Sequence, residues 1–321
     1  MRERPKSGRR ALSTAEKLLL GLLGLCVFAA ALLLVSMHLM PPAAPLDTGT
    51  ETAGEEAALT LRLFPAATPA PLRTDDPFSG WQYDGEDYYY LESDGRMATG
   101  LRRIDGRLWY FLPTGVLAHA LGVDVSYYNE DIDWAAVAAQ GIDFAIVRLG
   151  GRGWGGGVLY SDTRAVQYLH NAREAGLRVG AYFYSTAGSE REAAEEARAA
   201  LRCLSGTPLD LPVFIDVEES GEYPDGRADR LTKDERTRVI EGFCRVIEAA
   251  GYEAGVYSGQ YFYNSSLHVP ALRGRMLWLA NYTDSSRNRV PRFEAGYAIW
   301  QFTERGQVKG IRGYTDLNVV F

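Results

Sequence analysis

Cysteine and histidine are scarce in this chain. Its 321 residues include three cysteines and four histidines, and the sequence has no Cys-x-x-Cys spacing. This composition excludes a disulfide framework and the usual zinc sites, so we predict no metal and no cofactor. Cys203 and Cys244 each fall on a predicted helix and are a candidate disulfide pair, but two buried free thiols are the favoured interpretation.

An excess of basic residues is also lacking. Lysine and arginine number 34 against 41 acidic residues, which gives a formal net charge of −7. No basic stripe appears in the C-terminal two-thirds of the chain. Proteins that bind nucleic acid usually carry such a stripe, so we predict that nucleic acid is not a partner.

One long hydrophobic run is present, close to the N-terminus. Residues 18–35 are apolar and uncharged, and the run continues with few polar interruptions to residue 40. Such a length spans a bilayer core, and the basic residues of segment 1–17 predict a cytoplasmic tail. We therefore predict a transmembrane signal anchor over 18–40, with the remainder outside the cytoplasm. The alternative is a cleaved signal peptide and a secreted protein, but Pro41 and Pro42 stand where a cleavage site would be expected.

Two further segments precede the main domain. Residues 41–78 are rich in Pro, Ala, Thr and acidic residues and predict a disordered linker. Residues 79–118 contain an internal aromatic repeat with Asp-Gly turns, which predicts small β-hairpins. Aromatic residues in this repeat are candidate contacts for a wall polymer, although a purely structural spacer is an open alternative. These candidates are Trp81, Tyr89, Trp109 and Tyr110.

From residue 119 to 321 short apolar strands alternate with helical patterns. The predicted strands cover residues 122–126, 144–150, 178–185, 211–218, 253–258, 277–282, 297–302 and 316–321. Strands that are apolar on both faces indicate a covered, parallel sheet. Eight strands with helices between the first five predict an irregular TIM-like (β/α) barrel, in the α/β class. The last three strands leave little room for helices between them, so at least one is expected to run antiparallel.

Acidic residues stand at the ends of several predicted strands. Asp216 and Glu218 close one strand and lie two positions apart, so both side chains point to the same face about 7 Å apart. An isolated acidic pair is commonly a solvated loop start or a helix cap. Here Asp124 and Asp316 occupy similar positions on other strands. Barrel enzymes assemble their sites in this way, and glycoside hydrolysis uses such a carboxyl pair.

The order and spacing of the motifs resemble the glycoside hydrolase family 25 lysozymes, which are N-acetylmuramidases. The matching motifs fall at residues 122–126, 132–134, 141–148, 180–184, 216–218, 255–258, 277–280, 299–302 and 316–318. The resemblance covers about 119–321 and implies five β/α units followed by three further strands. Residues 79–118 separately resemble the repeats of choline-binding and glucan-binding proteins, with Leu101 where a tryptophan is expected.

The resemblance also implies the roles of individual residues. Glu218 corresponds to the general acid, expected to be protonated, and Asp216 to an ionised partner that stabilises positive charge on the sugar. Asp124 and Asp316 correspond to the other acids of the site. Further candidates for substrate binding are Arg148, Tyr182, Tyr184, Tyr257, Trp278 and Gln301. For the aromatic candidates barrel filling is an equally open explanation, and Arg148 either pairs with Asp124 or binds substrate.

These observations together predict a peptidoglycan hydrolase. Its substrate would be the peptidoglycan glycan strand, cut at the β-1,4 bond between N-acetylmuramic acid and N-acetylglucosamine. Two alternatives stay open at this point. One is a wall-binding protein that keeps the barrel as a non-catalytic scaffold, and the other is an N-acetylglucosaminidase that cuts the alternate bond.

Overall fold

The computed structural model describes residues 79–220, 226–282 and 289–320. The predicted cytoplasmic tail 1–17, the anchor 18–40 and the linker 41–78 all lie outside the described residues. Among the residues that are described, the helices are too short or too polar to cross a bilayer.

Strands and helices alternate through the greater part of the described chain. The strands are β1 (Gly80–Tyr83), β2 (Tyr88–Leu91), β3 (Gly100–Ile104), β4 (Arg107–Phe111), β5 (Ala120–Val125), β6 (Phe144–Arg152), β7 (Leu159–Ser161), β8 (Arg178–Tyr184), β9 (Val213–Asp216), β10 (Ala254–Gly259), β11 (Met276–Ala280), β12 (Ile299–Gly306) and β13 (Thr315–Val320). The α-helices are α1 (Trp134–Ala139), α2 (Ala165–Glu174), α3 (Glu190–Leu204), α4 (Lys233–Ala249) and α5 (Gln260–Ser266).

Eight of the described strands close into a barrel. Their order is β5-β13-β12-β11-β10-β9-β8-β6, and a pairing between β5 and β6 completes the ring. Strand β13 runs antiparallel to both β12 and β5, whereas the other barrel pairings are parallel. The predicted irregular barrel is confirmed, including its antiparallel strand in the last third. Strand β7 pairs with the outer end of β6 and extends the sheet beyond the ring.

Alternating residues on each strand fill the barrel interior. Phe144 of β6 lies opposite Gly122 of β5, and a Cβ atom at Gly122 would stand 2.3 Å from the Phe144 ring. The same arrangement recurs where Phe214 of β9 faces Gly255 of β10, at 2.4 Å. A large ring on one strand therefore requires a glycine on its neighbour, because protein interiors are packed without spare volume.

The helices begin at capping residues that the sequence supplies. Ser189 accepts a hydrogen bond from the Glu192 backbone at the start of α3. Thr232 and Glu235 form a reciprocal capping box at the start of α4. Such caps satisfy backbone N–H groups that have no partner within the helix, so each helix starts at a defined residue.

The two cysteines of the barrel lie on neighbouring helices. Cys203 belongs to α3 and Cys244 to α4. Within the described part of the chain both are free thiols, and Cys244 is fully buried. The alternative disulfide pair is wrong, and the prediction of free thiols is confirmed, although Cys203 is half-buried where two buried thiols were expected.

The aromatic repeat forms two antiparallel hairpins, β1–β2 and β3–β4. Asp105 and Gly106 join β3 to β4 with φ angles of 50° and 83°. Two successive positive φ angles are typical of the tight turns that fit the twist of a hairpin, and Asp-Gly adopts them readily. The hairpins predicted from the Asp-Gly turns are confirmed.

The second hairpin packs directly on the barrel. The Tyr110 ring lies 5.9 Å from the ring of Trp300 and 4.7 Å from that of Phe302. Leu108 donates a backbone hydrogen bond to the carbonyl oxygen of Gln140 at 2.6 Å. Tyr110 is 6% exposed, so its assignment as a wall-polymer contact is wrong. In the described residues no α-helix follows β11 or β12, and this hairpin supplies cover for β12 in its place.

We expect the docked hairpin to contribute to the stability of the barrel. Replacing Tyr110 by alanine removes a buried ring, which typically lowers the free energy of unfolding by about 3 kcal/mol. Urea unfolding of Tyr110→Ala and of Tyr83→Ala measures this difference. Tyr83 is 55% exposed and serves as the matched control. Equal, small losses in both variants would contradict the covering role of the hairpin.

Candidate active site

The four predicted acids converge at one mouth of the barrel. Asp124 lies near the end of β5, and Asp316 on β13 is its direct partner in the strand register. Asp216 ends β9, and Glu218 follows it with one residue between them. Each acid continues the alternation that points into the barrel. Mutual electrostatic effects connect Asp124 with the other three, so the structure brings all four together.

Two buried amides contact Asp124. Gln301 and Asn318 each donate a hydrogen bond to Asp124 Oδ2, at 2.9 and 2.8 Å. Behind them, the Trp278 indole N–H donates to Asn318 Oδ1 at 2.8 Å, and the Tyr257 hydroxyl donates to Gln301 Oε1 at the same distance. A continuous hydrogen-bonded network therefore leads from the barrel interior to Asp124.

Three of the predicted substrate contacts are interior residues. Trp278 is 1% exposed, Gln301 3% and Tyr257 7%. Their side chains fill the barrel or support Asp124 in this structure, and direct contact between these residues and a sugar stays a prediction. The strand alternation placed them on the inner face, but the sequence did not reveal how far below the rim they lie. Tyr182 is half-buried and packs edge-on against Trp278 with 6.0 Å between ring centroids.

The surroundings shift the pKa values of the acids upward. Burial, partly offset by the Asn318 and Gln301 hydrogen bonds, raises the pKa of Asp124 to about 6. Burial and the Asp124 charge raise that of Asp316 to about 9. Glu218 stands at the open rim and is exposed as a residue. Burial of its carboxyl group, together with the charge of Asp124, nevertheless raises its pKa to about 7. A carboxylic acid with such a pKa can carry a proton at neutral pH.

Asp216 departs from the expectation that it stays ionised. It is 4% exposed, and among the described residues its Oδ1 has no hydrogen-bond partner. Burial first, then the charges of Glu218 and Asp124, raise its pKa well above the usual range. Two carboxyl groups that repel each other titrate as a pair. Burial and mutual repulsion therefore both favour a proton on the Asp216–Glu218 pair.

Arg148 pairs with a different acid from the one predicted. Its Nε donates to Asp162 Oδ2 at 3.0 Å, whereas the expected partner was Asp124. Asp162 also accepts backbone hydrogen bonds from Tyr127 and Arg164, which fixes the loop after β5 and the start of α2. The sequence did not indicate Asp162, because only the β6–β7 hairpin brings it back towards Arg148. Among the described residues Arg148 Nη2 is buried without a hydrogen-bond partner.

A row of tyrosines surrounds Arg148 beside the acids. The Arg148 guanidinium lies 4.9 Å from the Tyr127 ring, 5.2 Å from that of Tyr128 and 6.0 Å from that of Tyr160. These three rings are 40%, 72% and 38% exposed. Tyr184, which was predicted, is half-buried close to Asp216. Sequence reasoning missed the other three, although Tyr127 and Tyr128 directly follow the strand that carries Asp124.

Buried charges hold the hairpin that carries Tyr160. Arg152 donates to Glu196 Oε1 at 2.8 Å and to the Gly157 carbonyl at 2.9 Å. Ser185 donates to the other oxygen of Glu196 at 2.6 Å. Gly151 leaves room for the Tyr160 side chain, since a Cβ there would stand 2.5 Å from the Tyr160 hydroxyl. The β6–β7 hairpin is therefore fixed at the rim of the site.

Comparison with known families assigns both parts of the described chain. The model of the glycosyl hydrolases family 25 matches residues 123–311, and that of the putative cell wall binding repeat matches 79–97. The chain belongs to glycosyl hydrolase family 25. The predicted family and enzyme class, a glycoside hydrolase of the lysozyme type, are confirmed, as is the likeness of the hairpins to wall-binding repeats.

Curated relatives extend over most of this chain. The uncharacterized protein YegX of Escherichia coli K12 is 30% identical over 213 residues, which cover 65% of this chain and 71% of YegX. Lysozyme M1 of Streptomyces globisporus is 26% identical over 270 residues, covering 82% and 86% of the two chains. The autolytic lysozyme of Clostridium acetobutylicum is 27% identical over 198 residues, covering 61% of this chain and 54% of the relative.

Several solved structures share this fold. The modular autolysin LytC of Streptococcus pneumoniae superposes with a TM-score of 0.59 at 24% identity, covering 78% of this chain and 58% of LytC. The CTP1L endolysin gives a TM-score of 0.52 at 27% identity, covering 63% and 66%. The Streptomyces coelicolor lysozyme gives 0.52 at 23% identity, covering 63% and 91%. This chain thus spans less than two-thirds of the LytC and CTP1L chains.

The buried acids of this family 25 site are expected to destabilise the fold as pH rises. A carboxyl whose pKa is raised on folding binds its proton more tightly in the folded state, so unfolding becomes easier as pH rises above the usual value of 3.8. Asp216→Asn should therefore raise the free energy of unfolding at pH 8 by about 1–3 kcal/mol. The gain should be much smaller at pH 4.

Urea unfolding at the two pH values measures this effect. Asp131→Asn is the matched control, because the Asp131 side chain is 88% exposed. A loss of stability in Asp216→Asn at pH 8, or a gain equal at both pH values, would contradict the burial of an unpaired acid.

Proposed function

We propose that this protein hydrolyses the β-1,4 bond between N-acetylmuramic acid and N-acetylglucosamine in peptidoglycan. The observation that carries the proposal is the pair Asp216 and Glu218 at one barrel mouth, together with Asp124, where burial and mutual repulsion raise the pKa of both members of the pair. Membership of family 25 supports the reaction class. The names of Lysozyme M1 and the autolytic lysozyme support the wall glycan as substrate.

Glu218 is the proposed general acid. It stands at the open rim, where a glycosidic oxygen can approach its carboxyl group. A pKa of about 7 leaves the carboxyl partly protonated at neutral pH and lets it give up the proton readily. Transfer of that proton to the glycosidic oxygen converts the departing sugar into a neutral alcohol. Water completes the hydrolysis and returns a proton to the carboxylate.

Asp216 is the proposed stabiliser of positive charge. Its Oδ1 is a buried acceptor with no hydrogen-bond partner among the described residues, so the protein leaves the capacity of this oxygen to accept a bond unused. Positive charge that develops beside a carboxyl lowers its pKa. Asp216 therefore becomes the charged member of the pair as the glycosidic bond breaks, even though burial favours its neutral form in the empty site.

The tyrosine row provides a surface for the glycan. The rings of Tyr127 and Tyr128 lie 4.1 Å apart and are both open to solvent. Aromatic rings offer apolar faces that suit the C–H face of a pyranose, and their hydroxyl groups suit its polar edge. Together with Tyr160 and Tyr184 they support a glycan strand that extends from the acids over Arg148.

The N-terminal segment is proposed as a membrane anchor. The apolar run 18–40 with its basic flank supports a single-pass protein whose barrel works outside the cytoplasm. The hairpins follow the anchor in the sequence and precede the barrel, and their Trp81, Tyr89 and Trp109 are proposed contacts for wall polymers. Membranes washed with high salt should retain the protein and detergent should release it. Release by salt alone would favour the alternative, a cleaved signal and a secreted enzyme.

Replacing the general acid should abolish hydrolysis without loss of wall binding. Glu218→Gln removes the transferable proton, so kcat should fall by about 10²–10⁴-fold. Incubation with purified peptidoglycan, followed by mass spectrometry of the soluble muropeptides, measures the rate and identifies the products. The wild-type products should end in N-acetylmuramic acid at the reducing end.

Glu219→Gln is the matched control, since Glu219 is an exposed neighbour and should retain full activity. Wild-type activity in Glu218→Gln would refute the acid assignment. Reducing-end N-acetylglucosamine would show the alternate cleavage, and wild-type protein that binds wall without releasing fragments would indicate a scaffold.

A further inference from the structure

The orientation of the Asn318 amide is fixed by its neighbour. An indole N–H can only donate a hydrogen bond, and that of Trp278 points to Asn318 Oδ1 at 2.8 Å. The Asn318 nitrogen must then face the other way, where it donates to Asp124 Oδ2 at 2.8 Å. All three residues are at most 5% exposed, so water does not compete for these groups.

The Gln301 amide is oriented in a similar way. The hydroxyl groups of Tyr257 and Tyr282 both donate to Gln301 Oε1, at 2.8 and 2.9 Å. The remaining amide nitrogen donates to Asp124 Oδ2 at 2.9 Å. Two N–H groups thus converge on one oxygen of Asp124 from strands on the same side of the barrel.

This arrangement favours a charged Asp124. A carboxylate oxygen that accepts two N–H bonds has no room for a proton unless one of those bonds breaks, and such bonds stabilise the ionised form. Asp316, which lies on the same neighbouring strand as Asn318, adds a further hydrogen bond to Asp124. The other titratable or charged groups around this part of the site are Asp216, Glu218, Arg148, Tyr182, Tyr257 and Tyr282.

We propose that Gln301 and Asn318 are positioning residues that hold a negative charge on Asp124, and that this charge helps to keep a proton on Glu218. The inference rests on the proposed function of Glu218 as the acid. It assigns Gln301 a role different from sugar binding. It also assigns a role to Asn318, which belongs to the motif at residues 316–318 but was not among the predicted site residues.

The charge on Asp124 affects the acid directly. It is one of the two causes that raise the pKa of Glu218, the other being burial. Loss of an amide donor raises the pKa of Asp124, because the donor stabilises its ionised form. Asp124 then takes up a proton at a higher pH. The working form of the site, with Asp124 charged and Glu218 protonated, is therefore populated over a narrower pH range.

Gln301→Met tests the proposal in the full-length enzyme. Methionine is similar in length but donates no hydrogen bond, and the hydroxyl groups of Tyr257 and Tyr282 can bond to each other. The acidic limb of the kcat/KM profile should move upward by about one pH unit, and its maximum should fall as the two limbs approach. Purely structural damage would lower the whole profile without moving the acidic inflection, and that result would overturn the proposal.

Two further measurements complete the test. Gln167→Met is the matched control, because Gln167 is an exposed amide on α2, and its profile should coincide with that of wild type. In wild-type protein labelled at the aspartate carboxyl carbons, the NMR signal of Asp124, identified by its absence in Asp124→Asn, should titrate at lower pH than those of Asp216 and Asp316. Titration of Asp124 after both would overturn the proposal. This measurement does not depend on enzymatic activity. It therefore tests the role of Gln301 and Asn318 separately from the proposed hydrolysis.

Discussion

The structure depends on one electrostatic constraint, the enclosure of four carboxyl groups at a mouth of a closed barrel. Burial raises the free energy of every charged carboxyl, and each neighbouring carboxylate raises it further. Four full charges cannot be held together there at moderate pH. Two features of the site reduce this charge repulsion. Amide groups donate hydrogen bonds to Asp124, and the raised pKa values of Asp216 and Asp316 favour protons on these two acids. The ability of Glu218 to donate a proton at neutral pH thus follows from its burial and its proximity to another acid.

The barrel supplies the geometry that this crowding requires. Interior positions on β5, β9, β12 and β13 alternate with positions that face the helices, so an acid or amide at an inner position near the mouth must point into the site. The rings of Phe144 and Phe214 fill the interior below. They keep water away from the floor of the site, and the second hairpin covers β12 where no helix in the described chain does so.

Much of this arrangement could be predicted from the sequence, and the reasons are local. Alternation within a strand placed Asp216 and Glu218 on one face, and strand counting predicted the irregular barrel. Other features depend on contacts between distant segments. The pairing of Arg148 with Asp162 depends on the β6–β7 hairpin. The burial of Tyr110 depends on the docking of the second hairpin against the barrel, and the sequence of the repeat does not indicate whether it docks. The alternation of residues along a strand also does not reveal how deep Trp278 lies below the rim.

The distribution of protons over the acid cluster is the central claim, and neutron diffraction of the unliganded protein at neutral pH tests it most directly. We predict deuterium on the Asp216–Glu218 pair and on Asp316, and none on Asp124 Oδ2, which should instead accept the two amide N–D groups of Gln301 and Asn318. Four bare carboxylates, or a deuterium on Asp124 Oδ2, would contradict the account.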